Sequence, residues 1–141
     1  GVDTSLRALA DCLDGVFLAG GPANEVEHLH LFIGAMLEGS FSSRIEGYDP
    51  ATLLIMTGDR ATIQQAAIEK GVRLLVVTGG LPVSDALLAT ARHNNVTVIS
   101  TPHDTATAAW LSRLSTPLSC FVESRRALPP SRRSWRRSPM P

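Results

Sequence analysis

Three short polar turns carry the residue types that could do chemistry in this sequence. They are TGDR at residues 57–60, TGG at 78–80 and HDT at 103–105. Backbone N–H groups at a helix start beside Arg60 could hold an anion, because helix amino ends and guanidinium groups both attract negative charge. The segment contains neither GxxxxGK[ST] nor GxGxxG, and the sequence therefore supports no nucleoside-triphosphate loop and no dinucleotide fingerprint.

The same turns also offer the members of a nucleophilic triad, namely Thr105, His103 and Asp59. Neighbouring residues at a helix start rarely face each other, so this triad is the weaker interpretation. Asp104 is better explained as a helix cap. Asp59 is better explained as a cap that pairs with a cation, and its negative charge would repel a phosphate bound at this turn. We therefore predict no catalytic residue in this chain.

Histidine and cysteine give little sign of a metal site. His28 and His30 share one face of a predicted strand, but no cysteine or carboxylate motif accompanies them, and a packed or surface pair is the preferred interpretation. Cys12 and Cys120 lie far apart without a secretory signal, which favours reduced, buried thiols and a cytoplasmic location. We expect no metal and no cofactor in the chain itself.

The elements that must position these turns follow from three stretches with apolar, β-branched runs, ATLLIMTGDR, VRLLVVTGG and VTVISTPHD. The turn residues Thr57, Thr78 and Ser100 recur at intervals of 21 and 22 positions. Such intervals fit a strand, a short helix and two loops, the repeating unit of a parallel sheet. Because these crossovers are right-handed, all three turns should lie at the carboxyl edge of the sheet.

The predicted fold is therefore α/β, a single domain with a mainly parallel sheet of about five strands and flanking helices. GVFLAGG and VEHLHLFIGAM supply two further strands, and a short helix is expected between Ser40 and Glu46. Helix starts are indicated by Asp59, Ser84 and Asp104, and Gly71 should end the first of these helices.

Composition divides the chain into three parts: a lead-in helix over 1–14, the α/β domain over 15–116, and an exit segment with a disordered Arg/Pro/Ser-rich tail over 117–141. Residues 1–124 carry 13 acidic groups and 7 Lys or Arg, whereas residues 125–141 carry six Arg and no acid. An acidic body does not favour nucleic-acid binding, and no apolar run is long enough for a membrane span.

The motifs GDR, TGG and HDT, preceded by FIGAM at 32–36, together resemble the DRTGG domain family. The resemblance implies an accessory module that pairs with itself. Such modules are found between CBS domains of manganese-dependent family II inorganic pyrophosphatases and ahead of the catalytic part of phosphate acetyltransferases. SLRALADCLDG and LSRLSTPLSCFV look like connections to flanking CBS domains and favour the pyrophosphatase parent.

We accordingly expect a non-catalytic regulatory and dimerisation module, acting as a homodimer next to CBS or catalytic domains, with manganese and adenine nucleotides bound by other parts of the parent. The alternatives are a phosphate acetyltransferase regulatory domain and a small-molecule module for a nucleotide or anion. The predicted ligand-binding or interface surface, called the rim below, consists of Thr57, Gly58, Asp59, Arg60, Thr78, Gly79, Gly80, His103, Asp104 and Thr105.

Overall fold

The structure, a computed structural model, describes residues 6–22, 30–34, 45–115 and 121–122. Its elements in chain order are α1 (Leu6–Cys12), β1 (Val16–Ala19), β2 (His30–Ile33), a 3-10 helix (Pro50–Thr52), β3 (Leu53–Thr57), α2 (Ala61–Glu69), β4 (Leu74–Val77), α3 (Asp85–His93), β5 (Thr97–Ser100), α4 (Thr105–Ser115) and β6 (Phe121–Val122). The predicted helix between Ser40 and Glu46 lies largely outside the described residues, as do His28, Cys120 and most of 117–141.

The described strands form one sheet in the order β1-β5-β4-β3-β2-β6. All neighbouring pairs are parallel except β1 and β5, which run antiparallel. The prediction of an α/β domain with a mainly parallel sheet is confirmed, with five strands of four or five residues and the two-residue β6. The three successive strand-helix units are β3-α2, β4-α3 and β5-α4.

Helices cover both faces of the sheet, which explains why the central strands are apolar throughout. Every residue of β3 and β4 is buried. On one face, side chains of α1 and α4 such as Leu9 and Ala108 pack with Leu54 of β3. On the other face, α2 and α3 supply Ala67 and Ala91. Parallel strands in such a three-layer arrangement need no polar face.

The first three helices end in one common way. Asp14, Gly71 and Asn95 follow α1, α2 and α3 with positive φ of 52°, 90° and 62°. The N–H of the following residue then donates to a carbonyl in the last turn of the helix. The 3.1 Å bond from Val72 N to Ala67 O is an example. This is the left-handed termination that glycine and asparagine favour, and the predicted role of Gly71 is confirmed.

Two of the three predicted helix starts are confirmed by their capping bonds. The Ser84 hydroxyl accepts a 3.1 Å bond from Leu87 N at the start of α3. The Asp104 carboxylate accepts a 2.7 Å bond from Thr107 N at the start of α4. In both cases a short side-chain oxygen satisfies an N–H that has no partner within the helix.

The prediction that Asp59 caps α2 is wrong. The N-cap residue is Arg60, with no side-chain capping bond, and the helix begins at Ala61. A 2.9 Å bond from Arg60 N to Gly58 O closes the preceding turn tightly. This turn moves the helix start one residue beyond the position from which an Asp59 carboxylate would cap it.

Candidate functional site

The three polar turns meet at the carboxyl edge of the sheet, as the right-handed crossovers predict. Thr78 N donates to Thr57 O at 2.8 Å, and Gly79 N donates to His103 O at 2.7 Å. Gly80 N donates to Thr101 O, just before the third turn, at 2.9 Å. These are backbone bonds between segments that are distant in sequence, so the turns form one continuous surface rather than three separate loops.

A chain of hydroxyl groups runs beneath this surface. The Thr78 hydroxyl donates to Thr57 O at 3.1 Å, and its oxygen lies 2.8 Å from the Thr105 hydroxyl. A hydroxyl has only one proton, and that of Thr78 is used on the carbonyl. Thr105 must therefore donate to Thr78, which leaves the Thr105 oxygen with acceptor capacity only. Thr78 is buried, so the middle of this chain is shielded from water.

Gln64 also belongs to this buried layer, although sequence reasoning missed it. Its amide nitrogen donates to the Thr57 hydroxyl at 3.2 Å and to Gly58 O at 3.0 Å. The side chain is only 4% exposed. The available signal was its position on α2, four residues before Ile68, which places a polar residue on the apolar face of the helix.

The end of α1 is attached to the third turn by two contacts. The Thr101 hydroxyl donates to Leu13 O at 2.6 Å and accepts from His103 N at 3.2 Å. His103 Nε2 lies 3.0 Å from an Asp14 carboxylate oxygen, with Asp14 72% exposed. Asp14 was not among the predicted site residues, because only the fold brings it to His103, 89 positions away.

The two glycines of the TGG turn are required by the backbone. Gly79 and Gly80 have φ of +76° and +64°, a conformation that side chains with a Cβ rarely adopt. A Cβ on Gly80 would lie 3.9 Å from the Pro102 backbone, an ordinary contact. The turn therefore needs glycine for its left-handed conformation, and not because neighbouring protein atoms leave no room for a Cβ.

The accessible part of the rim carries both negative and positive side chains. Asp59 and Asp104 are exposed, and Arg60 is half-buried at the start of α2. An open groove of about 340 Å³ lies between α2 and α3, and its lining begins at Ala61, the residue after Arg60. Hydroxyl and amide groups dominate its polar lining, which consists of Ala61, Thr62, Gln65, Ser84, Ala86, Leu87 and Thr90.

The structure does not assemble the triad considered from the sequence. His103 Nε2 contacts Asp14, while the Thr105 hydroxyl is committed to Thr78. Asp59 lies at the start of the α2 unit, where it is exposed. Among the predicted rim side chains, Thr78 and Thr105 are joined by a hydrogen bond, and the His103 ring contacts Asp14 instead of the Thr105 hydroxyl.

The remaining candidates pack within the domain. The ring of His30 lies 5.1 Å from that of Tyr48, which in turn meets the Phe32 ring edge-on at 5.1 Å. The Cys12 thiol donates to Leu111 O at 3.2 Å. Within the described residues, no three His, Cys, Asp or Glu side chains are grouped as metal ligands would be.

Trp110 lies half-buried on α4, where the Arg113 guanidinium sits 5.9 Å from the centre of its ring. None of the helices in the described part of the chain is long and apolar enough to cross a membrane.

The geometry agrees with a comparison to known families, because the sequence model of the DRTGG domain matches residues 8–114. The chain belongs to the DRTGG domain family. The match contains most of α1, the three strand-helix units except the last residue of α4, and all ten rim residues of this DRTGG domain.

Relatives of the DRTGG domain described here include two inorganic pyrophosphatases. The cobalt-dependent enzyme of Clostridium perfringens is 48% identical over 65 residues, 46% of this chain and 12% of the relative. The probable manganese-dependent enzyme of Thermotoga maritima is 28% identical over 100 residues, 71% of this chain and 16% of the relative. The matched segment is thus a small part of each relative.

A solved structure has the same fold. It is the crystal structure of the CBS and DRTGG domains of the regulatory region of Clostridium perfringens pyrophosphatase, complexed with the activator diadenosine tetraphosphate. The TM-score is 0.65 at 31% identity, and the match covers 82% of this chain and 49% of that one.

Proposed function

We propose that this domain is a non-catalytic regulatory and dimerisation module of a larger enzyme, and that the rim is its contact surface. The observation that carries the proposal is the set of backbone bonds between the turns, from Thr78 N to Thr57 O and from Gly79 N to His103 O. A surface built in this way moves as one body, which suits a module that transmits a movement between neighbouring domains.

The proposed parent is a CBS-domain-containing inorganic pyrophosphatase of the cytoplasm. Both pyrophosphatase relatives and the regulatory region of known structure support this parent over a phosphate acetyltransferase. The proposed partners are a second copy of the domain and the CBS and catalytic domains of the same chain. The names of the relatives say that those enzymes depend on cobalt or manganese, and we propose that such a metal acts in the catalytic part of the parent.

The contacts at the end of α1 suggest how a signal would reach the rim. Leu13 and Asp14 close α1, and they are held by Thr101 and His103 of the third turn. A displacement of α1 by an upstream domain would therefore pull directly on the turn whose carbonyl binds Gly79 N. Coupling of this kind requires an element shared by both sites, and these bonds provide one.

Sedimentation velocity of the chain over a concentration series tests the dimer at the rim. Asp59→Lys reverses an exposed charge on the rim, while Glu69→Lys makes the same change at the opposite end of α2. We expect a concentration-dependent dimer that Asp59→Lys weakens and Glu69→Lys leaves intact. A chain that stays monomeric at high micromolar concentration, or a dimer equally sensitive to both changes, contradicts the proposal.

A second candidate function is binding of a nucleotide or another anion. It is supported by the groove between α2 and α3 and by the nucleotide activator bound to the regulatory region of the relative. Ligand binding to the folded state raises its thermal stability by mass action. Adenine nucleotides, diadenosine tetraphosphate and inorganic phosphate should then stabilise the chain, and Arg60→Ala should abolish the effect. No stabilisation by any of these compounds rejects this candidate.

A further inference from the structure

Most of the buried polar side chains in the described part of the chain lie in one region. Six polar residues are buried there, namely Thr57, Gln64, Thr78, Thr97, Thr101 and Ser112. Four of these six meet at the carboxyl edge of the sheet and are called the polar network below: Thr57, Gln64, Thr78 and Thr101. Since a buried polar group costs free energy unless it is hydrogen-bonded, the bonds within this network must be kept together.

The polar network begins at the end of α1. The Thr101 hydroxyl donates to Leu13 O at 2.6 Å, and Thr101 O accepts from Gly80 N at 2.9 Å. Two residues before Gly80, the Thr78 hydroxyl donates to Thr57 O at 3.1 Å. A path of hydrogen bonds and short backbone segments therefore leads from α1 to the end of β3.

Gln64 continues this path from β3 to α2. Its amide nitrogen donates both to the Thr57 hydroxyl and to Gly58 O. The N-cap residue of α2, Arg60, makes no side-chain capping bond. The amide of Gln64, and not a capping side chain, thus fastens the start of α2 to the end of β3.

The two ends of the polar network lie on opposite faces of the sheet. Leu13 packs in the core that α1 and α4 form on one face. Ile63 and Ala67 of α2 pack in the core on the other face. The two cores share no residue, because successive side chains of a strand point to opposite faces. The network therefore connects two helical layers whose apolar side chains are packed separately.

We propose that the polar network couples the two helical layers, so that a displacement of α1 shifts the start of α2 and changes the groove between α2 and α3. Gln64 is the positioning residue at the far end of the network, and the adjacent Gln65 lines that groove. A buried donor or acceptor is costly to leave unpaired, so movement of one member favours movement of the next. The inference rests on the proposed function only for the source of the displacement, an upstream domain that moves α1.

Hydrogen exchange of the chain without any ligand tests the coupling. Thr101→Val removes the side-chain bond to the end of α1, and exchange is then measured at the amide of Gln64, which is bonded at the start of α2. The amide of Leu88, bonded at the start of α3, is the internal reference because α3 lies in the same layer outside the network. We expect exchange at Gln64 to rise about tenfold relative to exchange at Leu88, the scale of one lost buried hydrogen bond.

Two further variants are controls for this measurement. Thr97→Val makes the same substitution at an equally buried threonine, but Thr97 lies at the amino end of β5. It should change exchange at Gln64 and Leu88 alike. Thr101→Ser keeps the hydroxyl and should leave the ratio of the two exchange rates as in the unmodified chain. The proposal is overturned if Thr101→Val changes both amides equally, or if Thr97→Val changes the ratio as much.

Unfolding equilibria provide a second test. Gln64→Leu and Thr101→Val lie in one network, so the unfolding equilibrium constant of the double variant should differ at least about threefold from the value for independent effects. Gln64→Leu combined with Thr97→Val should agree with independence within about twofold. Agreement within twofold for both pairs overturns the proposal. Neither measurement needs a dimer or a bound nucleotide, so a monomeric chain would reject the proposed function without changing these results.

Discussion

The hydroxyl of Thr78 lies 2.8 Å from that of Thr105, and it donates its own proton to Thr57 O. One side chain thereby joins the ends of β3 and β4 to the start of α4. The backbone bond from Thr78 N to Thr57 O could be made by almost any residue at position 78, but the bridge to Thr105 requires a hydroxyl. The contact explains why a threonine precedes the two glycines of the turn.

Removing the bridge should destabilise the domain. Thr78→Val keeps the shape of the side chain but leaves Thr105 without its acceptor, and we expect a loss of about 1–2 kcal/mol in the free energy of unfolding. Urea unfolding measures it. Thr90→Val is the control, because the Thr90 hydroxyl only bonds Ala86 O within α3. If Thr90→Val lowers the free energy of unfolding as much as Thr78→Val does, the bridge contributes little to stability.

A side chain at the glycines of the TGG turn should destabilise the domain. Gly79→Ala forces a residue with a Cβ to keep φ near +76°, and we expect a loss of about 1–2 kcal/mol in unfolding free energy. Gly47→Ala is the matched control, since a Cβ there meets nothing within 4 Å and its φ is not in the positive region. Thermal or urea unfolding of both variants gives the comparison. Equal free energies of unfolding for Gly79→Ala and Gly47→Ala would contradict the claim that position 79 needs glycine for its positive φ.

Gln64 should contribute through its two hydrogen bonds rather than through its volume. Gln64→Leu preserves much of the size but leaves the Thr57 hydroxyl and Gly58 O without their donor, which should cost about 1–3 kcal/mol of stability. Gln65→Leu makes the same substitution at the adjacent, half-buried position. We expect that control to change unfolding by less than about 0.5 kcal/mol. A stabilised Gln64→Leu would indicate that apolar burial outweighs the lost bonds.

The start of α4 should depend on its cap. Asp104→Ala removes the acceptor of Thr107 N, and the expected loss of stability is about 1 kcal/mol. Asp104→Ser retains a capping oxygen and should recover most of that loss. Hydrogen exchange at Thr107 would show the local opening directly. If the serine variant is as unstable as the alanine variant, the carboxylate charge rather than the cap is the important feature.

Much of the architecture was predictable because its causes are local. The apolar runs at β3, β4 and β5 and their spacing are properties of short segments, and right-handed crossovers then place their ends at one edge. The caps at Ser84 and Asp104 and the helix end at Gly71 follow from side-chain and backbone preferences within a few residues. The failed cap at Asp59 shows the limit of such rules, since a tight turn at Gly58 shifted the start of α2.

The sequence by itself determined the α/β class, the three repeating units and the shared edge on which the rim lies. Only the tertiary structure decided that α1 packs into the same core, that β1 runs antiparallel, and which side chains tie the edge together. Gln64 and Asp14 have no local signature strong enough to mark them. Their partners lie on other elements, up to 89 residues away, and such pairings are set by how layers stack and strands order.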